Sequence, residues 1–430
     1  MSAALTLYRA VSPLLAGAVP LLAPFHAKLR AGHQGRRGLE QRLLDAAPTL
    51  QGCLWIHAAS VGEFMQGMPL IAATRRRLGQ SAPPVAATHF SPSGLDFAVE
   101  RPCADLHDYL PLDTPGIMER VVRAWRPRAL VFMSGDVWPN LAVAAHREGV
   151  PLVLLAGSLP PDSERLTTRL GAALYRDVFD RFTHLGVNTE DDRRRFVDQL
   201  GVRAPVTVTG NTRVEQVIVR YEESAGGRVS ARLQALGGRM LVLGSTWRPD
   251  EDLWLPVLPD LLERFGDLRV VVCPHEPHPE VLTAVESRLT TAGITVNRLS
   301  DVLDDPTLAP RVVLVDSVGV LAEIYRAGAL AHVGGAFTTG VHNTMEPAVA
   351  GLPVICGPSI QNAEEAGDLV RAGAAWVCRE PHEALARATE LLGNAPALEA
   401  AGRTAREVVL DQRGATDRSM QVLLPLLTQA

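Results

Sequence analysis

The sequence predicts an α/β protein made of two doubly wound domains, and three observations carry that expectation. Short apolar runs alternate with amphipathic stretches through both halves, the pattern of parallel strands joined by helices. At 430 residues the chain is longer than one core usually serves, and a hydrophobic content of 47% is enough to fill two. A polar, glycine-containing stretch near the middle, residues 220–238, reads as a linker. The expected divisions are therefore an N-terminal segment 1–34, a first domain 35–219, the linker, and a second domain 239–430. The last helix, within residues 402–430, is expected to cross back to the first domain. Loops at the strand C-termini of both domains would face a cleft.

Composition narrows the partners. A net charge of −5 gives no basic excess at the whole-chain level, so no nucleic acid is expected. Five scattered cysteines form no CxxC or Cys/His cluster. They read as buried, reduced thiols of a cytoplasmic compartment, with no metal and no cofactor.

Residues 3–27 are apolar but interrupted by Arg9, Pro13, Pro20 and Pro24, which makes a clean spanning helix marginal. Lys28, Arg30, Arg36, Arg37 and Arg42 follow at once. An apolar helix beside a cationic flank reads as a peripheral or monotopic anchor on the anionic cytoplasmic leaflet. The alternative is a helix packed on the first domain.

In the first domain, residues 53–78 give a strand, a small-residue loop and an amphipathic helix. Ser60 and Gly62 let a ligand approach the backbone. Glu63 opens the helix, either as an acid favoured by the dipole or as a site carboxylate. Residues 84–94 repeat the pattern with Thr88 and Ser91, and residues 128–141 repeat it with Ser134, Gly135, Asp136 and Trp138. The segment PVTVTGNTRVEQ, with Arg213, closes this half.

The second domain starts with a strand ending in Gly244, Ser245 and Thr246. Pro249, Asp250 and Glu251 follow in a first turn that is compatible with phosphate. Residues 268–282 form a strand ending near His275 and His278. These lie on a Pro-broken loop with no third ligand for a metal.

The most informative stretch is LAHVGGAFTTGVHNTMEPAVAGLPVICGPSIQN, from Leu330 to Asn362. A buried strand breaks at Gly334 and Gly335, and a helix starts near Asn343 or Thr344 with Pro347 in its first turn. Free N–H groups and a positive dipole end suit an anion. His342 and Asn343 add side-chain donors, and Glu346, which as a carboxylate only accepts, suits a ribose hydroxyl pair. An ordinary capped helix with Glu346 complementing the dipole is the competing reading.

That stretch resembles the C-terminal signature of the bacterial 3-deoxy-D-manno-octulosonic acid (Kdo) transferases, and the resemblance runs through nearly the whole chain. WIHAASVGE, GDVWPN, GNTRVE, GSTWRPDE and PHEPHPE are each similar to a family segment. The resemblance implies a GT-B type glycosyltransferase of two Rossmann-like domains in cell-envelope (lipopolysaccharide) biosynthesis. It would take Kdo from CMP-Kdo to a lipid A-type acceptor at the cytoplasmic face of the inner membrane. It further implies that Arg213, Ser245, Thr246, His342 and Asn343 stabilise the departing phosphate. Gly334, Gly335, His278, Glu346 and Asn362 complete the donor site. Glu63 and Asp136 would support the oxocarbenium-like sugar.

The departures are specific. The segment GLEQRLL aligns with the family's G-L-x-E-R-L so that its basic glutamate falls on Gln41, and an amide cannot usefully accept a proton. Ser158 stands in an arginine's place, Trp247 in a histidine's, Pro277 in an arginine's and Arg213 in a lysine's. Two other readings follow: a diverged non-catalytic or altered-specificity homologue binding nucleotide or lipid, and a soluble UDP-sugar epimerase of similar architecture.

Overall fold

The computed structural model describes residues 1–361 and 363–428, so the candidate Asn362 lies outside the described residues. The chain divides into two compact units. Unit 1 comprises Met1–Gln216 and Gly414–Ala430, and unit 2 is Val217–Arg413.

Unit 1 is built on seven parallel strands: β1 Leu54–Ala58, β2 Val85–His89, β3 Leu106–Tyr109, β4 Ala129–Met133, β5 Leu152–Gly157, β6 His184–Val187 and β7 Val206–Val208. Their order is β3-β2-β1-β4-β5-β6-β7. The central strands are buried at every position because both faces are covered. Trp55, Leu130, Phe132 and Leu154 fill one face. Ile56, Val131 and Val153 fill the other, against Met420 and Leu423 of the terminal helix Ala415–Thr428.

Unit 2 repeats the plan with β8 Arg239–Thr246, β9 Leu268–Pro274, β10 Val296–Arg298, β11 Val312–Leu314, β12 Leu330–Val333, β13 Val354–Cys356 and β14 Ala375–Val377. The order is β10-β11-β9-β8-β12-β13-β14, again parallel throughout. The fold is α/β with two Rossmann-like units.

The expected linker is ordered structure. Residues Arg228–Ala235 form a helix, and Val229 and Leu233 are buried in the core of unit 2. Their i, i+4 spacing makes one apolar stripe, which outweighs the flanking glycines.

The N-terminal segment forms α1 Ala3–Leu22, α2 Ala27–Gly35 and α3 Leu39–Asp45. One side of α1 is fastened to unit 1. Tyr8 Oη donates to Asp113 Oδ2 at 2.9 Å, Asn140 Nδ2 donates to Ser12 Oγ at 2.9 Å, and Arg9 pairs with Glu119 at 3.2 Å. The other side is apolar and exposed at Leu14 and Leu21, and Phe25 in the turn Ala23–Phe25 that follows is exposed too, each more than 70% accessible. The helix is also long and apolar enough to cross a membrane by length and composition.

Candidate functional site

In unit 2 the site gathers where β8 and β12 end side by side, Val333 opposite Gly244. β8 finishes with Ser245 in the left-handed region, φ +53°, and the β8–β9 register slips between Leu243 and Thr246. A non-glycine residue held there is strained, and strain of that kind gathers at functional sites. Thr246 is buried, its hydroxyl 3.5 Å from the Cys273 carbonyl, so it faces the sheet rather than an incoming anion.

The Gly334 and Gly335 amides do not face an anion as expected. Gly334 N–H donates to the Gly244 carbonyl at 2.9 Å, and Gly335 N–H donates to Asp250 Oδ2 at 3.0 Å. These glycines supply space instead. A Cβ on Gly334 would lie 2.2 Å from Ser245 O, and one on Gly335 would lie 2.6 Å from Gly340 O. The helix start at Arg248–Trp254 is likewise taken. Asp250 Oδ2 accepts Trp247 N–H at 2.9 Å, while Glu251 pairs with Arg288 at 2.6 Å. The Asp250 carboxylate therefore already takes up the Trp247 and Gly335 amides.

The turn after the β12 loop is different. The helix Met345–Val349 follows Thr344, and Asn343 Oδ1 accepts the Met345 N–H at 3.1 Å. Asn343 Nδ2 donates to Glu346 Oε1 at 3.2 Å, and Arg220 Nη1 meets that same oxygen at 3.1 Å. Glu346 Oε2 accepts from no described residue, and the Asn343 and Thr344 amides donate to none. The result is an acceptor oxygen and unspent amides beside a guanidinium.

His342 flanks this turn. Its Nε2 accepts from Trp247 Nε1 at 2.8 Å, which places its proton on Nδ1. Its ring stacks on His275, centroids 4.3 Å apart and 10° between planes, and Trp247 lies against both rings, its centroid 4.9 Å from that of His275 and 6.4 Å from that of His342. Burial, and then the neighbouring His275, lower its pKa, so it serves as a neutral donor. His278 is exposed, 3.7 Å from Glu276, and lies apart from this cluster.

In unit 1 the β1 turn forms a reciprocal cap. Ser60 Oγ accepts Glu63 N–H at 3.3 Å, and Glu63 Oε2 accepts Ala59 N–H at 2.6 Å. Gly62 has no close neighbour to crowd it. Burial pushes the Glu63 carboxyl up to about 7, with Asp136 adding to the rise and the Ala59 amide and Arg165 opposing it. Asp136 is also raised by burial and is held down by Arg165. This arginine comes from the short helix Glu164–Thr167, and its guanidinium stacks on Tyr175 at 4.7 Å. A Cβ on Gly135 would lie 2.9 Å from it. Sequence reasoning missed Arg165, although it returns to the Asp136 turn a cation of the kind that Ser158 lacks.

Gln41 is exposed on α3, and its amide donates to Asp45 Oδ1 at 2.8 Å. Glu40 pairs with Arg120 at 2.5 Å. Arg213 is capped by Asn211 Oδ1 at 3.0 Å, and its Nε is buried with no described partner. Trp138 and Asn140 prove to be braces. Trp138 Nε1 donates to His57 Nε2 at 2.9 Å, and Asn140 N–H donates to Asp113 at 2.8 Å. Unit 1 therefore brings Ser60, Gly62, Glu63 and Asp136 together. Unit 2 brings Ser245, Gly334, Gly335, His342, Asn343 and Glu346 together.

A family model described as 3-deoxy-D-manno-octulosonic-acid transferase (kdotransferase) matches residues 33–216. A Bordetella pertussis protein named 3-deoxy-D-manno-octulosonic acid transferase is 30% identical over 400 residues, covering 90% of each chain. One of the same name from Chlamydophila psittaci is 32% identical over 333 residues, 75% of this chain and 73% of its own. The solved UDP-GlcNAc 2-epimerase of Neisseria meningitidis has TM-score 0.63 at 14% identity, covering 87% of this chain and 99% of that one. Identity that low speaks for the fold alone and gives the epimerase reading no support. By sequence across nine-tenths of its length, this chain belongs to the 3-deoxy-D-manno-octulosonic acid transferase family.

Proposed function

We propose that the protein transfers Kdo, or a closely related sugar, from a CMP-activated donor to a lipid A-type acceptor at the cytoplasmic face of the inner membrane. The observation that carries the reading is the Asn343–Glu346 turn. Glu346 is fixed by Asn343 and Arg220 with one oxygen left to accept, beside unspent amides and a neutral His342. That set suits a ribose with its phosphate.

In the transfer, the acceptor hydroxyl oxygen forms a bond to the anomeric carbon as the bond from that carbon to the CMP phosphate oxygen breaks. CMP leaves as an anion that amides and guanidinium stabilise. Carboxylates near the sugar favour its oxocarbenium character. A base takes the hydroxyl proton. With an amide at position 41, the group suited to that task is Glu63, poised near neutrality. The chemistry calls on no cofactor and no metal.

The exposed apolar side of α1, beside Lys28, Arg30 and Arg37, favours a monotopic association with an anionic membrane. A second reading, a homologue of altered specificity or lost activity, is favoured by Gln41 at the base position together with Ser158, Trp247 and Pro277 in place of family arginine and histidine. Incubating the purified chain with CMP-Kdo and a lipid A precursor and recording the product mass decides between them. Gain of a Kdo residue supports the transferase. Release of free Kdo or no reaction, with CMP still bound, supports the second reading.

A further inference from the structure

We infer that Trp247 is a positioning residue for the nucleotide site: its indole fixes the His342 proton on Nδ1 and so makes that ring a permanent hydrogen-bond donor to the nucleotide phosphate. The inference rests on the nucleotide reading of this site and names the residue that sets its donor.

The chemistry starts from what an indole can do. Its N–H donates and it has no lone pair to accept with, whereas each nitrogen of a neutral imidazole can take either role. A histidine at position 247, which the family resemblance implies, leaves two rings free to exchange donor and acceptor roles. Trp247 removes that freedom. Its Nε1 donates to His342 Nε2 at 2.8 Å, which leaves Nδ1 as the seat of the His342 proton.

The ring is also held in place. The planes of Trp247 and His342 are 18° apart, and His275 lies across both, its centroid 4.3 Å from that of His342 and 4.9 Å from that of Trp247. On the Cδ2 edge, a Cβ added to Gly335 would come within 2.7 Å, so a side chain there would turn the ring. The His342 N–H donates to the Gly334 carbonyl at 3.0 Å, which ties the residue to the end of β12.

One polar atom of the ring is left over. Among the described residues His342 Nδ1 has no hydrogen-bond partner, and it is not buried. The neighbouring Asn343 is engaged at both ends of its amide, Oδ1 with the Met345 N–H and Nδ2 with Glu346. His342 is thus a fixed ring that offers one N–H beside the Glu346 turn. A departing phosphate gains negative charge as its bond to the sugar breaks, and a donor fixed in advance stabilises that charge without reorganising. Without the indole, the competent tautomer becomes a fraction of the population, and the apparent Kd rises by the inverse of that fraction.

The test uses the full chain labelled with 15N-histidine. Long-range 1H–15N spectra should place the wild-type His342 proton on Nδ1, and that signal should shift on adding CMP but not cytidine, which has no phosphate. Trp247→Phe keeps a ring against His275 and removes the indole N–H. It should give a mixture of tautomers and bind CMP about two- to tenfold more weakly, the loss expected when between about a half and a tenth of the rings are competent. Its cytidine affinity should be unchanged. Trp247→His, which can donate, should recover part of the loss.

In a His342→Ala background, Trp247→Phe should change CMP binding no further. An effect of equal size with and without His342 would make Trp247 a stacking or packing residue and overturn the inference, leaving the nucleotide site standing. So would a wild-type proton on Nε2, or an Nδ1 signal indifferent to CMP that binds; these two readings need no variant to fold. A wild type that binds no CMP overturns the nucleotide reading and this inference with it.

Discussion

Asp250 and His332 form a fully buried pair, Oδ1 to Nε2 3.1 Å, and the other oxygen of that carboxylate accepts the amides of Trp247 and Gly335. The pair clamps the end of β8 to the end of β12, so the shape of the His342 loop depends on it. Burial opposes ionisation of Asp250, but the His332 contact and the two amides together hold its carboxyl below the usual range. A depressed carboxylate stabilises the fold above its unfolded pKa, and that stability is lost as pH falls through the folded value. Asp250→Asn should therefore lose about 1–3 kcal/mol at pH 7 by leaving one of three donors mismatched. The difference from wild type should shrink between pH 4 and pH 2 in denaturant titrations. A constant difference across that range would mean that Asp250 contributes only shape.

Glu346 tests the donor grip. Glu346→Ala removes the acceptor and frees both Asn343 and Arg220, so CMP binding should weaken by about 1.5–3 kcal/mol in calorimetry. Arg220→Ala should weaken it less and in a salt-dependent way, because the guanidinium is partly exposed. If CMP binds wild type and Glu346→Ala equally, the nucleotide sits elsewhere.

The membrane reading is best tested on the exposed face of α1. Removing α1 outright would leave Asp113, which burial raises to about 6, without the Tyr8 hydroxyl that helps hold it. Loss of binding could then reflect unfolding. Leu14→Glu with Leu21→Glu and Phe25→Glu alters only residues more than 70% exposed. This triple variant should keep its thermal midpoint and float free of anionic vesicles in sedimentation. Retention on the vesicles would discard the anchor.

The strand ends were legible in the sequence because each apolar run stops at small or polar residues, and the candidates Ser60, Glu63, Asp136 and Ser245 fall there, while Asn343 lies at the far end of the loop after β12. What was hidden is long-range. Asp250 and His332 are 82 residues apart, and Arg220 and Glu346 are 126 apart. Arg220 also lay in a stretch whose glycines and charges suggested a linker, since the amphipathic spacing of Val229 and Leu233 is short. The Gly334–Gly335 pair was read as an anion cradle because the sequence could not reveal that Asp250 already fills it. Trp138 and Asn140 stood in the sequence only as part of the family-like segment GDVWPN, and their indole and amide are spent on His57 and Asp113.

The last prediction concerns the base. A base positioned on the acceptor hydroxyl is worth roughly 10²–10⁴ in rate, and Gln41 cannot supply one. Glu63, which burial raises to about 7, exchanges its proton in the range where the reaction must run. If it is the base, kcat/KM should rise with pH through about 7 and then level. Glu63→Gln should remove that limb and lower kcat by the factor a base is worth. The same shift has a stability consequence of opposite sign. A raised carboxylate favours the fold fully below its unfolded pKa, and that contribution is lost as pH rises through 7. Glu63→Gln should therefore be more stable than wild type at pH 8, by up to about 3 kcal/mol, and not at pH 4. Gln41→Glu supplies the control. It places a carboxylate on α3 beside Asp45, at the cost of a like-charge contact of a few tenths of a kcal/mol. If the position itself matters, Gln41→Glu should raise transfer and partly rescue Glu63→Gln. A Glu63→Gln enzyme that keeps wild-type kcat and pH profile would remove Glu63 from the mechanism. A neutral Gln41→Glu in the same assay would show that α3 no longer faces the reacting hydroxyl.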